Sequence, residues 1–109
     1  MLKYFVELVG TFIFLSVIII AASANIKWAF LPIGLVLAVV VFWGGNISGG
    51  HYNPAVSTMF FAHGKLTLIE YIAYIICQVI GGLLALVYYT QYNQTLAPTL
   101  PTVPVLSES

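Results

Sequence analysis

The sequence predicts an all-α membrane protein with three spanning helices and one re-entrant half-helix. Three observations carry this. Of 109 residues, 61% are hydrophobic and 6% are charged, against roughly 25% charged in a soluble domain. So few charges could not cover the surface of a soluble fold of this length. Three apolar segments, at about 2–24, 28–46 and 68–89, each approach the ~20 residues that a spanning helix needs. Between the second and third lies SGGHYNPAVS at 48–57, a polar stretch that is rich in Gly and broken by Pro. The net charge of zero gives no footprint for nucleic acid. Cys77 is the single cysteine, which excludes an internal disulfide or a cysteine metal cluster. No cofactor or metal is expected.

The first segment runs from about Leu2 to Ala24. Ala22-Ser23-Ala24 imitates a signal-peptidase site, but the apolar run is long for a leader and Glu7 lies inside its start. A spanning helix is therefore the expected reading. A carboxylate inside a membrane helix costs about +2.5–3.5 kcal/mol at the centre, so Glu7 either sits near the interface or has a partner. The connector Ala24-Asn25-Ile26-Lys27 is short and favours antiparallel neighbours. In the second helix Pro32 falls in the first turn or so, where a missing N–H does little harm.

The polar stretch follows. Asn53-Pro54 reads as a helix start, since Asn is a favoured N-cap and Pro suits the first helical position. Ala55 to Ala62 supplies about two turns before His63-Gly64 stops them, too few to span. The stretch from Gly44 to Tyr52 is a poor helix. Two readings stand: a cytoplasmic loop with a short surface helix, or a re-entrant arm whose half-helix starts deep in the bilayer. The apolar run 55–61 favours burial. Irregular backbone at that depth must be buried in protein or line a watery cavity. A half-helix N-terminus there supplies positive potential.

The last span opens on Thr67-Leu68-Ile69-Glu70, which fits a capping box. Ala73, Cys77, Gly81 and Ala85 recur every four residues, a small-residue stripe for close helix packing. Residues 93–109 carry Pro98, Pro101 and Pro104 among Thr and Ser and read as a loop or tail, with a sequon at Asn93-Gln94-Thr95. Lys3 and Lys65 lie on one side and Lys27 on the other, which puts the N-terminus in the cytoplasm.

Three motifs in order resemble the N-terminal half of the aquaporin (major intrinsic protein) family over residues 3–92. They are Glu7-x-x-x-Thr11-x-x-Phe14, Ser48 to Val56 with Asn53-Pro54-Ala55 at its heart, and Gln78-x-x-Gly81-Gly82. The resemblance implies one aquaporin-like repeat in residues 1–92, with the re-entrant loop and half-helix at 47–63, and a channel rather than an enzyme. It implies that Asn53 donates its amide to a passing solute at mid-membrane. Pro54 and Ala55 would meet a second half-helix. The carbonyls of Gly49, Gly50, His51 and Tyr52 would form a rail of acceptors, and Val56 part of the apolar wall. Glu7 would accept hydrogen bonds from the loop, with Thr11 supporting it one turn on along the same face. His51 is expected to be a structural hydrogen bonder.

Where the family often has a bulky aromatic in its outer filter, this chain has Ile33, and it has no Arg for another filter position. The aliphatic Ile33 implies passage of small neutral solutes such as glycerol, urea or ammonia beside water. The family pore combines two inverted repeats, and one half-helix reaches only half the bilayer. The expected explanations, in order, are a truncated copy or fragment, two copies paired in opposite orientations, and a non-conducting relic or interaction protein. Family members are typically tetramers of complete pores.

Overall fold

The computed structural model describes residues 1–96, with side chains to residue 94. Four helices follow one another: α1 (Leu2–Ser23), α2 (Phe30–Ser48), α3 (Pro54–Ala62) and α4 (Leu68–Leu96). Three of them, α1, α2 and α4 to Gln94, are long and apolar enough to cross a membrane. At nine residues α3 is about 13 Å long and cannot. The chain is a multi-pass membrane protein with one half-helix.

Each boundary has a local cause. α1 ends at Ala24, and Asn25 turns the chain in the left-handed region with φ 53°. α2 ends on Gly49, at φ 93°, whose N–H returns to Gly45 O at 2.9 Å; this is the left-handed glycine stop. Asn53 caps α3 in an extended conformation, with Pro54 at the first helical position. His63 closes α3, and Gly64 reverses the chain at φ 80°. The capping box of α4 is formed: Glu70 N–H donates to Thr67 Oγ1 at 3.1 Å, and Thr67 N–H donates to Glu70 Oε1 at 2.9 Å.

α4 runs past the expected limit near Tyr89 and takes in Asn93, the first residues of the expected tail. Residues 88–94 are polar or aromatic but include no Gly or Pro, and a helix propagates cheaply once formed. The rest of the expected tail, 97–109, lies outside the described residues.

α1 is the central element and packs against both α2 and α4, while α3 packs on α4. Its buried positions are small or polar: Glu7, Gly10, Thr11, Ser16 and Ala21, with Val6. The α1–α4 seam is closest at Gly81, where an added Cβ would stand 2.7 Å from Leu8 O and 3.1 Å from Phe12 N. Backbone thus meets backbone, as the small-residue stripe allows; Ala85 on the same stripe is also buried. At the N-terminal end of the seam Lys3 pairs with Glu70. α2 is the least covered span. Only Val40, Gly44 and Ser48 are buried, and Phe42 is 89% exposed, as a lipid-facing side chain can be.

After Ser48 the chain folds back into the helix layer. The Tyr52 ring stands against Gly10 and Gly44, near the middle of α1. The start of α3 is therefore at mid-height, and the half-helix runs back toward the end where α1 begins.

Candidate functional site

The site is the loop 49–53 and the tip of α3. Its shape is set by one carboxylate. Glu7 is fully buried and accepts four hydrogen bonds. Oε2 takes Ser48 Oγ–H at 2.6 Å and His51 N–H at 3.0 Å; Oε1 takes Tyr52 N–H at 2.8 Å and Gln78 Nε2 at 2.9 Å. A carboxylate with four donors has its lone pairs filled, which offsets the cost of burial. Gly50 N–H donates to Ser48 Oγ at 3.1 Å. With Gly49 N–H on Gly45 O, all four N–H groups of 49–52 are used within the fold.

The four carbonyls of 49–52 accept no hydrogen bond among the described residues. They form a run of free acceptors in a chain otherwise poor in polar surface. Gly50 at φ 63° and Tyr52 at φ 51° adopt the left-handed region, as Gly49 does. That conformation is natural for the two glycines and strained for Tyr52.

Asn53 comes next. Its Oδ1 accepts from Ala55 N–H at 2.8 Å, which fixes the amide orientation. Nδ2 has no partner among the described residues, and the side chain is exposed. Pro54 brings no N–H, so the tip of α3 presents Asn53 Nδ2 and the end of the helix dipole. Ala55 is exposed on the first turn, and Val56 beside it is partly buried.

Beneath the loop a polar chain links α1, α3 and α4. Gln78 Nε2, besides meeting Glu7, donates to Ser57 Oγ at 2.8 Å, and Ser57 Oγ lies 2.8 Å from His51 Nδ1. Ser57 Oγ thus joins Gln78 to His51, and the His51 tautomer sets which of the serine and the ring donates in the second bond. The His51 ring stacks on Phe60 at 4.8 Å and meets Tyr74 edge-on at 5.1 Å. Tyr74 Oη–H donates to Ser48 O at 2.6 Å, which satisfies a helix-end carbonyl of α2.

A cavity of about 600 Å³ opens beside the tip of α3, between α1 and α4, with Tyr52, Asn53 and Pro54 on its wall. Two buried polar atoms on the residues lining it, Thr11 Oγ1 and Gln78 Oε1, have no hydrogen-bond partner among the described residues.

The structure therefore gathers Glu7 and residues 49–56 into one unit. One expected residue stands differently. Thr11 shares the face of Glu7, but no hydrogen bond joins its hydroxyl to the loop; it lies against the Gly81 contact instead. One turn of helix carries it about 6 Å past the loop N–H groups that Glu7 reaches. Ile33 is at the far end of α2, fifteen residues from Ser48, which is about 22 Å along the axis. Sequence reasoning missed the part played by Ser57, Ser48 and Tyr74, and took Gln78 only as a motif residue. A signal was there for Gln78, a polar amide in the middle of an apolar span.

Residues 1–104 match the sequence profile of the family described as Major intrinsic protein. Over 92 residues the chain is 41% identical to Aquaporin Z of Photorhabdus laumondii, covering 76% of this chain and 40% of that protein. It is 38% identical over 88 residues to Glycerol uptake facilitator protein-like 6 of Lactiplantibacillus plantarum, covering 78% and 41%. Against Aquaporin-8 of Mus musculus it is 42% identical over 84 residues, covering 72% and 32%. The chain thus spans well under half the length of these curated relatives. No solved structure matches.

Proposed function

Since this chain belongs to the major intrinsic protein family, we propose that it contributes one half of a passive pore for water and small uncharged solutes. It acts as a channel part and not as an enzyme. The observation that carries the reading is Asn53. Its Oδ1 is held by Ala55 N–H, so its free amide protons face whatever passes the helix tip. Ahead of it run four carbonyls without donors. A solute would pass from acceptors to a donor, and the positive end of α3 repels cations at that point.

The second half is either the rest of a longer chain or a second copy in the opposite orientation. The proposal places it in the cavity beside Asn53, where Thr11 and Gln78 keep unused polar atoms. Assembly of complete pores into tetramers and a cytoplasmic N-terminus, argued from Lys3 and Lys65 against Lys27, belong to the same proposal. The rival reading, a non-conducting protein that binds other spans through its small-residue stripe, loses support because Gly81 is already covered by α1 and Ala85 is buried.

The test is osmotic shrinkage of liposomes carrying this chain, followed by light scattering. Shrinkage faster than in empty liposomes supports a pore formed by copies of this chain. No acceleration, with the chain inserted and helical, rejects that form of the proposal and leaves a pore that needs a different second half.

Two substitutions refine the reading. Asn53→Asp keeps an N-cap acceptor for Ala55 N–H but replaces the donor with a negative charge. An added barrier of about 1.5 kcal/mol, the strength of one charged hydrogen bond, lowers water flux about tenfold. Equal flux would remove Asn53 from the pore. Ile33→Phe is expected to cut glycerol entry, since added bulk in a narrow passage discriminates by about 1–3 kcal/mol, while water flux is kept. Unchanged glycerol uptake would show that Ile33 lines no filter.

A further inference from the structure

Tyr52 contributes its carbonyl to the acceptor row, but its side chain has a separate attachment. The N–H is tied to Glu7 of α1 at 2.8 Å, and the hydroxyl donates to Val40 O of α2 at 2.6 Å. The ring fills space that two glycines leave open. A Cβ on Gly10 would fall on the ring, and one on Gly44 would fall on the hydroxyl and on Val6. Tyr52, Val6 and Val40 form the buried apolar cluster of the α1–α2 seam.

This residue is held in a left-handed conformation, φ 51°, that only surrounding structure can maintain for a side chain of its size. The half-helix α3 packs on α4 and not on α2. Tyr52, the residue adjoining Asn53, therefore links the tip of α3 directly to the middle of α2. α2 also carries Ile33, two turns before Val40 and so on the same face.

We propose that Tyr52 is a positioning residue: its hydroxyl bond to Val40 fixes where the Asn53 amide stands relative to α2, and thereby the discrimination between water and larger solutes. The consequence for solutes rests on the pore reading above; the tether itself does not. Because α2 is rigid over two turns, the same bond fixes the spacing between Asn53 and Ile33, the two stations assigned to a passing solute.

The test uses the full chain in lipid nanodiscs and in liposomes. Tyr52→Phe removes the hydroxyl and keeps the ring. The expected result is a displaced pair of Asn53 side-chain amide resonances, read by NMR. With it the glycerol-to-water permeability ratio rises by about fivefold, the scale of one lost neutral hydrogen bond. Gly44→Ala reaches the same end with the tyrosine intact, because the new methyl displaces the hydroxyl. Combined with Tyr52→Phe it should displace Asn53 less than Gly44→Ala alone, because the hydroxyl no longer competes for that space. Resonances that stay in place in both single variants overturn the proposal, as does additive displacement in the double variant. Liposomes that do not conduct with the wild-type chain count against the pore formed by this chain alone; the tether then stands or falls on the resonances.

Discussion

Glu7→Ala is expected to release the loop from the helix layer. Four buried donors lose their acceptor at once: Ser48 Oγ–H, His51 N–H, Tyr52 N–H and Gln78 Nε2. Leaving a buried donor unsatisfied costs about 1–3 kcal/mol. Water entering the space left by the side chain recovers part of this, so a net loss of about 4 kcal/mol is expected, a large share of the 5–15 kcal/mol that typically holds a domain. Unfolding in mild detergent measures the loss, and hydrogen exchange locates it. The His51 and Tyr52 amides should exchange fast while the middle of α1 stays protected. Glu7→Gln should fall between, because its carbonyl oxygen can still serve two donors while its NH2 confronts the others. If Glu7→Ala lost less than about 1 kcal/mol with both amides still protected, another acceptor would have to hold the loop.

Gly81→Val is expected to have the next largest effect, and for a steric reason. The added Cβ would lie 2.7 Å from Leu8 O and 3.1 Å from Phe12 N. Those are backbone atoms of a continuous helix, so no side chain can turn aside. α1 must move away from α4 and carry Glu7 with it, which stretches the Glu7–Gln78 bond. Overpacking of this kind costs about 1–3 kcal/mol, and the lost hydrogen bond adds about 1.5 kcal/mol because one partner is charged. The neighbouring glycine is the control. At Gly82 an added Cβ would meet the tip of Leu15, Cδ1 at 2.9 Å, and a flexible side chain can swing away. Gly82→Ala should therefore cost less than about 1 kcal/mol. Equal losses at the two positions would mean that the seam is not set by the Gly81 contact.

Much of the fold was legible because it rests on composition and local chemistry. Apolar run length defines the spans, Thr67 and Glu70 define the start of α4, and Asn53 with Pro54 defines the start of α3. The overrun of α4 was hidden because polar residues 88–94 read as the end of a span, although they include no Gly or Pro to stop the helix. The site was partly legible through the motif around Asn53 and through Glu7, a carboxylate in a greasy helix that calls for partners. What stayed hidden depends on tertiary approach. Nothing local reveals that Ser57 lies between His51 and Gln78, that Thr11 points past the loop, or that Gly10 and Gly44 face one tyrosine ring. A glycine in a helix is ambiguous in sequence; its reason is the side chain that occupies its missing Cβ.

The unequal lengths of α2 and α4 bear on the thickness of the bilayer. With nineteen residues, α2 is about 28 Å long and just matches a hydrocarbon core of about 30 Å. α4, with twenty-nine, has an apolar part of similar length, 68–87, followed by seven polar or aromatic helical residues, 88–94, that can enter the interface. Hydrophobic mismatch is therefore felt by α2 first, at the end where the rings of Trp28 and Phe30 lie together. A thicker membrane would pull on that end or thin around it, while α4 can draw its tyrosine-bearing turns, 88–94, into the interface. The end under strain is the one that carries Ile33, whereas the loop at the other end is held by Glu7. Lipid thickness would thus act on the Ile33 end of α2 and leave the Asn53 region in place.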